Sequence, residues 1–106
     1  MRLLTALFLA AALSAPAAAS SAPTVTIQDD AFSPSTLTIA AGQTVTFVNR
    51  DDDAHTVTAT NGSFDSKGLD THDTWRHRFD IAGTYAYFCQ LHPFMKGTIV
   101  VKAATP

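Results

Sequence analysis

Four side chains carry the chemistry this sequence can do. Cys89, His92 and Met95 stand three residues apart in the run Cys89-Gln-Leu-His92-Pro-Phe-Met95, and His55 lies well upstream. They offer a thiolate, two imidazoles and a thioether. A short loop lets the first three converge on one point, while His55 has to arrive from another part of the chain. Singly, each has a plainer reading. A lone cysteine is usually a small buried hydrophobe, a lone methionine usually fills a core, and a lone histidine usually belongs to a loop. Together they form the donor set of a trigonal His₂Cys plane with a long axial Met, the arrangement that suits one type 1 copper ion. Zinc competes on ligand type, but structural zinc usually takes four Cys or His ligands and a thioether is a poor substitute. Thiolate and thioether favour Cu(I), and imidazole accepts either oxidation state. A rigid site between the two preferred geometries therefore needs little rearrangement when an electron moves.

The elements that must hold such a site read as strands. Polar and apolar residues alternate in Thr24–Gln28, Thr36–Ile39, Thr44–Asn49, His55–Ala59, Thr74–Phe79, Thr84–Cys89 and Gly97–Lys102. Alternation places Trp75, His77 and Phe79 on one face, and Tyr85, Tyr87 and Cys89 on one face. Asp29-Asp30, Ser33-Pro34, Ala41-Gly42-Gln43 and Asn61-Gly62 mark turns, and Phe64–Asp73 reads as an irregular loop. No stretch beyond the N-terminus has helical periodicity. Short strands at this spacing predict an all-β fold, a Greek-key, antiparallel β-sandwich of about seven to eight strands. Strand ends from distant parts of the chain meet at one pole of a sandwich.

Length, charge and the N-terminus narrow the setting. The 106 residues suffice for one domain. Met1-Arg2, the apolar run Leu3–Leu13 and the small residues Ser14–Ala19 have the layout of a cleaved export signal. We therefore expect residues 1–19 to be removed and residues 20–106 to form a single domain, soluble, monomeric, and periplasmic or secreted. The apolar run is short of the roughly 20 residues that span a bilayer. Nine acidic residues, all Asp, face seven Lys plus Arg, one of them in the leader. No basic stripe is present to neutralise phosphates, which argues against nucleic acid. The single Cys excludes an internal disulfide, leaving a metal as the means by which so small an exported domain gains stability.

The run Cys89–Gly97 and its approach Gly83-Thr-Tyr-Ala-Tyr-Phe-Cys89 resemble the cupredoxins, the type 1 blue copper proteins. The short Cys-x-x-His-x-x-Met loop is most similar to amicyanin, with plastocyanin next, and the resemblance covers about Val25 to Lys102. It implies an exported one-electron carrier, not an enzyme, cycling one copper ion held by His55, Cys89, His92 and Met95. It also implies redox-protein partners, a dehydrogenase-type donor and a cytochrome-type acceptor, docking near Pro93 and Phe94. One departure stands out. Thr56 occupies the position after the first histidine, where Asn is frequent in the resembling proteins and ties the two ligand loops together; a threonine hydroxyl offers a shorter bond of the same kind. A copper-binding module for storage, delivery or sensing is the alternative function. Asp51-Asp52-Asp53 reads as a solvated loop or, alternatively, as a charged feature of the copper pole that steers a basic partner or favours Cu(II). His72 reads as a solvated loop residue, His77 as a half-buried strand residue and Trp75 as core.

Overall fold

Burial follows the alternation residue by residue. The computed structural model describes residues 22–104, so the expected leader lies outside the described residues. Eight strands form among the described residues: β1 (Thr24–Gln28), β2 (Ala31–Ser33), β3 (Thr36–Ala40), β4 (Gln43–Asn49), β5 (Thr58–Ala59), β6 (Thr74–Phe79), β7 (Gly83–Phe88) and β8 (Lys96–Lys102). They make two four-stranded sheets, ordered β2-β1-β4-β6 and β3-β8-β7-β5. Val25, Ile27, Val45 and Phe47 face inward from the first, and Ile39, Tyr87, Ile99 and Val101 from the second. Each such side chain is worth about 1.5–3 kcal/mol once withdrawn from water, and this shared layer holds the sheets together.

Three features differ from the sequence reading. The sandwich is mixed and not wholly antiparallel: β1 pairs parallel with β4, and β3 parallel with β8. Each of these pairs joins strands separated by a crossover, a relation that alternation cannot encode. A short strand, β2, forms where only a break was expected, because Asp29 and Asp30 both adopt left-handed φ values of 53° and fold the chain back, pairing Gln28 with Ala31. The strand expected at His55–Ala59 shrinks to Thr58–Ala59, with His55 meeting Leu69 in an isolated antiparallel bridge.

The β7–β8 pair carries the longest register of the second sheet, from Gly83↔Val101 to Phe88↔Lys96. Within it Tyr87 lies opposite Gly97, and its ring occupies the space a side chain on Gly97 would need. Only glycine fits beneath that ring. The pair anchors the strands that lead into and out of the Cys89–Met95 loop.

Candidate metal centre

Cys89 follows the last residue of β7 on the inward phase of that strand and is wholly buried. The chain then turns sharply. The Met95 amide donates to the His92 carbonyl at 2.9 Å, and the Cys89 amide donates to the Met95 carbonyl at 3.1 Å. The loop is thus closed on itself by its own backbone before β8 begins. Met95 is buried in the core, and His92 is half-buried at the rim. Leu91, Pro93 and Phe94 face outward.

His55 reaches the same place from the segment between β4 and β5. Its backbone is held by reciprocal hydrogen bonds with Leu69, at 3.1 and 2.8 Å, and its side chain is fully buried. Asn49 explains the firmness of this approach. It ends β4 on the inward phase, fully buried, and its amide donates to the carbonyls of Asp53 and Leu69 at 2.9 Å each. Its side-chain oxygen accepts from the Asp51 amide at 2.9 Å. One buried amide therefore shapes the loop before His55 and the segment bridged to it. Sequence reasoning missed Asn49, although a polar residue in phase with Val45 and Phe47 at a strand end was the available signal.

The structure brings His55, Cys89 and His92 together. Cys89 Sγ lies 3.7 Å from His55 Nδ1 and 3.9 Å from His92 Nδ1, and the two Nδ1 atoms are 3.2 Å apart. A point equidistant from all three would sit about 2.1 Å from each, in the range of roughly 2.0–2.3 Å found for metal–imidazole and metal–thiolate bonds. The donor set fits one type 1 copper ion in both chemistry and spacing. The thiol is prepared for metal. Burial alone would push its pKa up, but the Thr56 amide at 3.3 Å and the two imidazoles outweigh burial and lower it to about 7. Burial likewise opposes charge on His55, yet its bonds to Cys89 and Asp51 hold its pKa above the ordinary value.

Thr56 makes the bond expected of it. Its hydroxyl accepts from the Gln90 amide at 2.8 Å, tying the segment after His55 to the residue after Cys89. His72 is exposed, and His77 is half-buried and stacked on Trp75 with centroids 5.2 Å apart; neither joins a donor cluster among the described residues. Asp51 departs from the solvated reading. Its side chain is 17% exposed, and its Oδ2 lies 2.8 Å from His55 Nε2.

Comparison with known proteins agrees with this geometry. The Cupredoxin-like domain family matches residues 2–101. The chain belongs to that family. It is 38% identical over 84 residues to a plastocyanin from Scenedesmus fuscus, covering 67% of this chain and 86% of the relative. It is 35% identical over 71 residues to amicyanin from Paracoccus versutus, covering 62% of this chain and 54% of the relative, so the match spans about half of that amicyanin's length. Among solved structures, the reduced Cu(I) form at pH 4 of an amicyanin variant superposes with a TM-score of 0.72 at 31% identity, covering 77% of this cupredoxin and 83% of that chain.

Proposed function

We propose that this cupredoxin is an exported one-electron carrier and not a catalyst, with one type 1 copper ion that would be held by His55, Cys89, His92 and Met95. The observation that carries this reading is the convergence of one thiol and two imidazole nitrogens, from two separate segments, to within 3.2–3.9 Å of one another. Bound there, copper supplies the one-electron couple. The chain supplies rigidity. Two backbone bonds lock the Cys89–Met95 loop, Thr56 fastens that loop to the His55 segment, and the sandwich core sits beneath both. Donors fixed in this way cannot follow the differing geometric preferences of the two oxidation states, which keeps the rearrangement on electron transfer small.

The route for the electron is His92, the half-buried member of the set. Around it Leu91 is 55% exposed and Phe94 69% exposed, with Pro93 exposed between them and the Phe94 ring 6.1 Å from the His92 ring. Side-chain oxygens of Asp30 and Asp53 lie within 4.8 Å of a His92 ring nitrogen and of each other. An apolar patch with an acidic margin fits redox proteins whose own docking face is apolar and rimmed by Lys or Arg, a dehydrogenase-type donor and a cytochrome-type acceptor. Residues 1–19 act as the export leader, and the carrier works as a monomer. No helix among the described residues is long and apolar enough to cross a membrane.

The test is to load the purified protein with Cu(II) and record its visible spectrum and self-exchange. One equivalent taken up with intense colour and rapid exchange is expected. A colourless, Cu(I)-loaded protein that exchanges slowly and yields its metal readily to a chelator would move the assignment to copper storage or delivery.

A further inference from the structure

Of the large apolar side chains left in open solvent among the described residues, one is not at the copper pole. Leu91 and Phe94 flank the metal loop, whereas Ile81, 73% exposed, stands on the turn between β6 and β7. β4 and β7 both run toward the metal centre, ending at Asn49 and just before Cys89, and Phe79 pairs with Gln43 at the start of β4. Ile81 therefore lies at the opposite end of the sandwich. Beside it opens a cleft of about 200 Å³, lined by Phe64, His77, Phe79 and Tyr85. A cavity of roughly 150 Å³ in another protein takes up benzene, so this one has room for a single ring.

The walls are themselves rings. The Phe64 centroid lies 5.0 Å from that of His77 and 5.4 Å from that of Phe79, and Phe79 lies 5.3 Å from Tyr85. Phe79 stands nearly perpendicular to Phe64 and to His77, at 84° and 83°, which offers both faces and edges to a further ring. Polar groups are few, as in a small-molecule site. The Tyr85 hydroxyl is already used, donating to the Ile81 carbonyl at 2.7 Å. Arg78 and Asp80, also at the cleft, pair with each other and offset each other's charge. His77 remains. Its ring stacks on Trp75, burial holds its pKa below the ordinary value against the pull of Asp80, and no hydrogen bond to it forms among the described residues. A neutral imidazole presents one N–H and one acceptor nitrogen, and here both are free.

The geometry points to a second binding site, remote from the metal, for a small neutral phenol, with its ring against Phe64, Phe79 and Tyr85 and its hydroxyl on His77. A charged ligand finds no free counter-charge there. A bare hydrocarbon leaves the imidazole unpaired, and an aliphatic alcohol forgoes the ring contacts. A phenolic hydroxyl both donates and accepts, so it pairs with either ring nitrogen. The site needs neither the metal nor the face around His92, and a phenol bound in it does not compete with a redox partner.

An NMR titration of the Cu(I)-loaded protein with phenol tests this amide by amide. Saturable shifts confined to residues 63–64, 77–81 and 85 are expected, with a Kd of about 1 mM, within reach of so small a ligand. Toluene matches phenol in size and lacks the hydroxyl. It is expected to bind about fivefold more weakly, the worth of one neutral hydrogen bond. His77→Phe keeps an aromatic wall and is expected to bring phenol down to the level of toluene. Shifts that spread over the surface without saturating, toluene binding as tightly as phenol, or unchanged phenol affinity in His77→Phe would each overturn the site. If His77→Phe fails to fold, the comparison of phenol with toluene on the wild type decides. A wild type that refuses copper would defeat the proposed function alone, since the metal-free protein takes the same titration.

Discussion

The Thr56 hydroxyl accepts the Gln90 amide at 2.8 Å, joining residues 34 apart in sequence across the metal centre. The same hydroxyl lies 2.9 Å from Thr58 Oγ1, and the Thr56 amide points at Cys89 Sγ. One residue thus fastens both ligand-bearing segments. Thr56→Val keeps the shape and removes the acceptor, leaving the Gln90 amide unpaired. We expect a loss of about 1–3 kcal/mol in urea unfolding of the metal-free protein, with Thr56→Ser close to wild type.

Cys89 and Met95 are expected to fail differently. Cys89→Ser removes the thiolate and with it the intense visible absorption of the copper-loaded protein. Met95→Gln substitutes a harder oxygen donor for the thioether, so a coloured site is expected to persist at a lower potential. Visible spectra and voltammetry of the two variants make the comparison. Loss of colour in both, or in neither, would contradict the ligand roles assigned to them.

The Tyr87–Gly97 pair predicts opposite outcomes for two small changes. Gly97→Ala forces a methyl group into the space filled by the Tyr87 ring, and overpacking of this kind costs about 1–3 kcal/mol. The Tyr87 hydroxyl is buried with no hydrogen-bond partner among the described residues. Tyr87→Phe therefore deletes an unsatisfied polar group and is expected to be neutral or stabilising by up to about 1 kcal/mol. Thermal unfolding of both variants decides.

Acidity acts on the metal-free protein in a definite order. The Cys89 pKa is lowered to about 7 from 9.0. The folded state thus favours the thiolate, a contribution complete above 9 and lost as pH falls through about 7. His55 runs the other way: its raised pKa gives a contribution present below 6.5 and lost as pH rises through its native value. Asp51, held chiefly by the Asp30 amide, and Asp65, held chiefly by the Lys67 amide, both have lowered pKa values. Their contributions stand above 3.8 and fade as pH falls through the native values. An ultraviolet thiolate titration of the metal-free protein is expected to centre near 7; a midpoint near 9 would contradict the network around Cys89.

Asp30 and Asp53 are expected to govern encounter with the partner. Replacing both by Asn should slow association with a Lys- or Arg-rimmed redox protein and flatten its dependence on ionic strength, because rim charges act mainly on the association rate. Phe94→Ala should weaken the complex with little effect on salt dependence. Stopped-flow electron transfer at several salt concentrations separates the two.

Much of the site was legible because its loop is local. Cys89, His92 and Met95 are three residues apart, and the alternation Tyr85-Tyr87-Cys89 already set the thiol facing inward. His55 was legible by type, while its partner Leu69 was not, since a single bridge between two irregular segments leaves no periodic trace. The parallel pairings of β1 with β4 and β3 with β8 were hidden for a related reason: alternation reports which face a residue takes and never which strand lies beside it. Asp51 could be read only as one of three alike aspartates, in a solvated loop or at the copper pole, because consecutive aspartates look the same in a sequence. What distinguishes it is the turn at Asp29-Asp30, more than twenty residues away, which supplies two of its three donors.

The chain owns a single thiol and so has no way to cross-link itself covalently. His55 lies on the path that carries the chain from one sheet to the other, whereas Cys89 and His92 lie on a hairpin within the second sheet. An ion gripped by all three closes a ring of more than thirty residues spanning both layers, much as a disulfide would. Unlike a disulfide, this staple can be withdrawn by a chelator, and the sandwich would then have to hold its two halves together by packing and by the hydrogen bonds around the empty site, that of Thr56 with Gln90 among them.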